Sequence, residues 1–277
     1  MKNFKFKNAK LIFVLLIMSL FVVSLLYYNF VFLNIFSRNS FANEMIALSD
    51  ENENSIFNVQ KLLIYSSANA IDNSTYNSLE DVSIYQYTDL SIYIDNREYI
   101  AELTDENTVK ELYIDNINLS SNSEVGTQLL NYKNPNDFGK YSLIEFPNNG
   151  RIDFNIVNTN DQRENANYSN PTFFTDCSDP ITLGYLNKDI LTGYSVSENS
   201  NTVSFNGKVL QEANIDIQDI NFTLNFTINI TNNLNQKFAY NMSLDIDLND
   251  ENGGIYNGYV YRNISTSGEQ YNFFKEV

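Results

Sequence analysis

Asp245, Asp247, Asn249, Asp250, Glu251 and Asn252 stand just before Gly253-Gly254. Oxygen ligands at alternating positions are what a hard cation such as calcium takes. Read as a calcium loop beginning at Asp247, the series has Asn252 where a glycine must turn the chain, and Gly258 where a bidentate glutamate closes the shell. The competing reading puts Asp245 and Asp247 on the outward face of a strand that ends in a polar turn, so the metal assignment stays open. The chain has 34 acidic residues, and two carboxylates facing each other across a cleft are the machinery of glycoside hydrolysis, but no spacing selects such a pair.

Other chemistries lack their residues. Without a histidine there is no His-dependent serine or cysteine triad, and zinc would need an uncommon ligand set. Cys177 is the single cysteine, so an intrachain disulfide is excluded. Its first reading is a buried thiol, with an intermolecular bridge second. Gly-x-Gly-x-x-Gly, the P-loop pattern and Gly-x-Ser-x-Gly are all missing. No catalytic or cofactor-binding residue is assigned, no cofactor is expected, and the chain is expected not to be an enzyme. Asn-x-Ser/Thr acceptors occur at Asn73, Asn118, Asn167, Asn221, Asn225, Asn229, Asn241 and Asn263.

The charge distribution shows what must position these groups. Lys2, Lys5, Lys7 and Lys10 are the only charged side chains before Arg38. The whole chain carries −17, so removing those four lysines leaves −21 on the remainder. Such a surface repels nucleic acid and anionic headgroups. Residues 11–36 form an apolar run broken only by a few polar, uncharged side chains, which as a helix rises about 39 Å against the roughly 30 Å of a hydrocarbon core. Its hydrophobicity goes all the way round, which suits lipid. Lysines before it and Arg38 alone just after it predict a cytoplasmic N-terminus. The expectation is a single-pass plasma-membrane protein: basic tail 1–10, anchor 11–36 in the bilayer, and the rest outside. Ser40-Phe41-Ala42 offers a competing signal-peptidase site, with release after Ala42.

Beyond the anchor, Met45, Leu48, Ile56, Val59, Leu63 and Ile71 recur at roughly three- and four-residue steps, predicting a stalk or docking helix over 40–71 that stops at Asp72-Asn73-Ser74. From residue 80 the period becomes two. Leu90, Ile92 and Ile94 share a face, Leu112 and Ile114 mark another strand, and Tyr141–Phe146 and Arg151–Ile156 two more, with Asn148-Asn149-Gly150 as their hairpin turn. Residues 158–180 read as a long surface loop. In 221–248, Phe222, Leu224, Phe226, Ile228 and Ile230 alternate with polar residues, and the pattern resumes from Phe238 to Leu248 after Asn232–Gln236. This predicts an antiparallel hairpin with one wet side. The fold class expected is a transmembrane helix continuing into a stalk helix, then a mainly antiparallel β domain over 80–277. That domain is either a sandwich or a helix packed on a sheet, in one unit or in two split by 158–180.

A lysine-flanked apolar helix running into an amphipathic helix and then a β domain resembles the plan of type IV pilins, over residues 1–71. The resemblance implies assembly by packing of N-terminal helices, with β domains outward. At the junction those families cut, this chain has Ala9-Lys10-Leu11, and its first acidic residue is Glu44. The leading functional expectation is a structural, assembly or adhesion protein of the cell envelope, with envelope or self-assembly partners. The alternatives are an extracellular binding module for carbohydrate, peptide or cation, a pilin-like subunit lacking the usual cleavage signal, and an acidic-pair hydrolase.

Overall fold

The computed structural model describes residues 2–28, 38–43, 56–75, 78–96, 103–121, 125–132, 144–145, 150–158, 170–196, 208–249, 254–265 and 271–275. The chain divides into two compact units, Met1–Glu53 and Asn54–Val277. In the first, α1 (Lys2–Tyr27) is apolar on every side from Leu11 onward, and its stretch Lys10–Tyr27 is long and apolar enough to cross a membrane, with a mean hydropathy of 2.5. The Ser19 hydroxyl donates to the Leu16 carbonyl at 2.8 Å, so this polar group is satisfied within the helix. Residues 38–43 are helical and include Ser40-Phe41-Ala42, while 29–37 and 44–55 lie outside the described residues.

The second unit is mainly antiparallel β structure. Its strands are β1 (Asn58–Asp72), β2 (Val82–Asp95), β3 (Val109–Ser121), β4 (Thr127–Tyr132), β5 (Ile144–Glu145), β6 (Ile152–Asp153), β7 (Asn155–Val157), β8 (Thr172–Phe174), β9 (Ile181–Tyr194), β10 (Phe222–Asn232), β11 (Lys237–Ile246), β12 (Tyr259–Ser265) and β13 (Phe274–Lys275). Sheet I runs β12-β1-β2-β9-β4-β5 and sheet II runs β13-β11-β10-β3-β6, with β7 and β8 as a parallel pair. Both sheets take strands from either side of 158–180, so Asn54–Val277 forms one unit where the sequence left one or two open.

The two sheets share one hydrophobic core. Phe57 meets Phe238 edge-on at 5.2 Å, and Tyr185 of β9 stacks on Phe222 of β10 at 3.8 Å. Two short helices, Lys208–Glu212 and Ile217–Ile220, add Val209, Leu210, Ile217 and Ile220. The second starts at Asp216, whose carboxylate accepts from the Gln218 N–H at 2.9 Å as an N-cap.

Three sequence expectations need correction. The stalk helix does not extend through 58–71, because this stretch is β1, paired on both sides to β2 and β12. An extra residue at Gln60 bulges the strand, so the inward face steps from Val59 to Leu62 and then to Ile64. The helical spacing joins Val59, Leu63 and Ile71, which lie on different faces of this strand: Val59 is buried, whereas Leu63 turns outward and Ile71 is exposed. The pilin-like plan therefore loses 58–71 from its second helix, while 44–55 lies outside the described residues. Asp72 does end the element, accepting from the Ser74 N–H at 2.9 Å and the Leu79 N–H at 3.1 Å. Secondly, Asn148-Asn149-Gly150 does not join a hairpin: β5 pairs with β4 in sheet I and β6 with β3 in sheet II. Alternation assigns a face and leaves the partner open. Thirdly, 158–180 is not all surface loop, because β8 lies within it and buries Phe173 and Phe174; residues 159–169 lie outside the described residues.

The 221–248 hairpin forms as β10 and β11, with Phe222 opposite Ile246 and Ile230 opposite Phe238. Its outer face is less wet than expected. β10 lies between β11 and β3, and Thr227, Asn229 and Thr231 are buried. Asn229 donates to Asp115 at 2.9 Å, and Thr227 donates to Asn241 at 2.8 Å and accepts from Asn116 at 3.2 Å. Asn116 has a φ of +52° at a bulge in β3, which switches the inward set from Leu112 and Ile114 to Ile117 and Leu119.

The inner face of sheet I contains a polar row. Ser66 opposes Thr88, with their hydroxyls 2.8 Å apart, and Thr88 opposes Tyr185. In the next row Gln86 opposes Asn187. Gln86 is fully buried, and neither of its amide atoms has a hydrogen-bond partner; the Tyr185 hydroxyl and Asn187 Oδ1 also have none. An unsatisfied buried amide costs about 1–3 kcal/mol, so Gln86→Leu is expected to raise unfolding stability by roughly that amount in urea titrations. A loss of stability instead would show that bridging water already satisfies the glutamine.

Candidate binding face

The outer face of sheet I follows from the period of two. With Leu62, Ile64 and Ala68 of β1 turned inward, Lys61, Leu63, Tyr65 and Ser67 turn outward. On β2 the same rule turns Tyr85, Tyr87 and Tyr93 outward, and on β12 Tyr259 and Tyr261. Register then assembles them. Tyr65 lies opposite Tyr261 on one side, while Ser67 lies between Tyr259 and Tyr87. Tyr65 stacks on Tyr259 with centroids 5.5 Å apart, and Tyr87 lies tilted 6.1 Å from Tyr65. Tyr259 and Tyr261 are 58% and 54% exposed. Burial, and then the neighbouring Tyr87, hold the Tyr65 hydroxyl above its ordinary value of 10.0; the same two causes act on Tyr85. Both phenols are therefore neutral at physiological pH.

A face of this kind supplies ring surfaces for stacking and hydroxyls for hydrogen bonds at small conformational cost. The outer face of sheet II differs, because its Asn, Thr and Asp side chains hydrogen-bond among themselves, as Asn229 does with Asp115. The tyrosine face was not foreseen from sequence. Tyr-rich terminal strands are visible there, but the row draws on three segments that register alone brings together.

The residues singled out from sequence fall elsewhere. Asp245 and Asp247 line an open groove of about 220 Å³ with Asn221, Phe222, Thr223 and Ile246. Thr223 donates to Asp245 at 2.7 Å. Asp247 accepts from the Asn249 N–H at 3.1 Å, the Asn249 amide at 2.9 Å and the Asn221 amide at 3.2 Å. These are the contacts of a strand end and polar turn, and among the described residues no three acidic, Cys or His side chains form a metal-holding group. Asp250, Glu251 and Asn252 lie outside the described residues.

No protein-family model, curated protein or solved structure matches this chain.

Cys177 sits in a turn with φ +58° and packs partly against the core. Burial, and then Asp176 and Asp95, push its thiol well above 9.0, which keeps it protonated and a poor nucleophile. Of the Asn-x-Ser/Thr acceptors, Asn229 is buried and engaged, whereas Asn73, Asn118, Asn241 and Asn263 are exposed; Asn167 lies outside the described residues.

Asp247 offers a pH test. Its donors, the Asn249 main-chain N–H foremost and then the Asn249 and Asn221 amides and the Arg262 charge, hold the carboxyl below 3.8. A depressed folded pKa adds stability that is complete above the ordinary value and is lost as pH falls through the folded one. A carbon-detected NMR titration should give a midpoint below 3.8 that rises in Asn221→Ala. A wild-type midpoint at or above the ordinary value would contradict the turn geometry.

Proposed function

We propose that this protein is a membrane-anchored, non-catalytic adhesion protein of the cell envelope, which meets its ligand through the tyrosine face of sheet I. The observation that carries this reading is the stacked cluster of Tyr65, Tyr87 and Tyr259 beside exposed Tyr261. Unlike the polar ladder on sheet II, this face keeps ring surface accessible. An apolar helix at the N-terminus supports a tether, and the four lysines before it favour a cytoplasmic tail with the β domain outside. The acidic balance is suited to neutral partners in preference to anionic ones.

The orientation has a direct test. Protease added to intact cells, or to spheroplasts where a wall or outer membrane shields the surface, should remove a C-terminal tag; protection until lysis would reverse the topology. For binding, the full-length protein in lipid nanodiscs should sediment with isolated cell envelopes. The double variant Tyr65→Ala/Tyr261→Ala should lose most of that association while keeping its far-UV circular dichroism. Unchanged sedimentation of the double variant would refute the role of this face.

A further inference from the structure

Sheet I ends at β12, and among the described residues no strand lies beyond it. One flank of β12 bonds β1 in an unbroken register over Tyr259–Ser265. The main-chain groups that alternate with those bonds turn to the other flank, where they can template a further strand. Proteins ordinarily blunt such an edge with proline, lysine, a bulge or an inward-pointing charge. β12 has no proline, lysine or bulge. Its one charge, Arg262, does turn inward, but the guanidinium donates to the Asp247 and Asn249 carbonyls and so is engaged within its own chain.

The side chains along this edge select the partner. On the outer face, Tyr259, Tyr261, Asn263 and Ser265 stand beside Lys61, Leu63, Tyr65 and Ser67, a two-strand strip without a carboxylate. The chain outside its N-terminal lysines carries −21, so two copies repel over most of their surface and meet best through such a strip. A twofold axis makes each residue meet a counterpart that meets it in return. An axis at Arg262 sets the two arginines directly opposite each other, which is destabilising. An axis at Tyr261 sets Tyr261 opposite Tyr261, Tyr259 opposite Asn263 and Val260 opposite Arg262. That register replaces a like-charge pair with an aromatic one, among the favourable cross-strand pairs.

We infer that β12 is a self-pairing edge: two copies of this chain join antiparallel through Tyr259–Asn263, with Tyr261 on the twofold axis. Sheet I then continues across the junction into the second copy. On the outer face Tyr65 opposes Tyr261, so the line runs on through the partner's Tyr261 to the partner's Tyr65. The dimer doubles the aromatic row of one copy. The pairing itself is independent of what the tyrosine face binds, and an adhesion protein that binds through this row gains a two-copy contact.

The full-length protein in detergent micelles should sediment with a protein mass of twice 31.9 kDa. Tyr261→Lys, which sets two ammonium groups face to face, should halve that mass and leave the far-UV circular dichroism unchanged. Engineered cysteines read the register under mild oxidation. Tyr261→Cys should crosslink to itself, and Tyr259→Cys should crosslink to Asn263→Cys when the two are mixed but neither to itself. Opposed Cα atoms in such a ladder are about 4.5–5.5 Å apart, within reach of a disulfide. Tyr93→Cys, on the outer face of β2, should stay uncrosslinked, as should the wild type, whose Cys177 thiol stays protonated. A monomeric wild type, or a dimer that persists in Tyr261→Lys, would overturn the edge pairing; the persisting dimer would assign association to another surface, such as the N-terminal helix. Self-crosslinking of Asn263→Cys without that of Tyr261→Cys would overturn the Tyr261-centred register.

Discussion

The register between β1 and its two neighbours is the constraint on which the rest depends. A strand turns alternate side chains to opposite faces, so a slip of one residue would bring Lys61 and Tyr65 into the core and expose Leu62 and Ile64. Pairing with β2 and β12 on both sides holds β1 against such a slip. The same pairing sets Tyr65 opposite Tyr261 and carries the outer row onward to Asp89. Core and candidate binding face are two consequences of one hydrogen-bond ladder.

Bulges adjust the ladder where the sequence changes parity. At Gln60 an inserted residue lets Val59 and Leu62 both face inward, and at Asn116 another does the same for Ile114 and Ile117. A positive φ at Asn116 is within reach of asparagine, which tolerates the left-handed region better than branched residues do. Each bulge keeps apolar side chains in a shared core that a regular strand would have forced partly into water.

The two outer faces follow different chemistry. Asn229, Asp115, Thr227 and Asn241 on sheet II satisfy one another, which leaves them little to offer a partner. On sheet I Tyr65 stacks on Tyr259 and lies tilted against Tyr87, while Tyr259 and Tyr261 remain exposed. Within the core, Gln86 and Tyr185 show that sheet I also carries polar groups on its inner side, so its central rows are less uniformly apolar than those of β10 and β11.

What could be read in advance was what depends on neighbours in sequence. The apolar run of α1, the alternation of β10 and β11, the polar turn between them and the stop at Asp72 are all local patterns with local causes. The missing histidine and the acidic balance likewise bounded the chemistry without any coordinates. Tertiary structure decided the rest. It made 58–72 a strand, because two long-range partners outweighed a helical spacing that joins residues of different faces. It placed β5 and β6 in different sheets, because alternation assigns a face and leaves the partner open. It gathered Tyr65, Tyr87, Tyr259 and Tyr261 from three distant segments. Those juxtapositions come from hydrogen bonds between strands up to two hundred residues apart, such as Ser67 and Tyr259, and no local period encodes them.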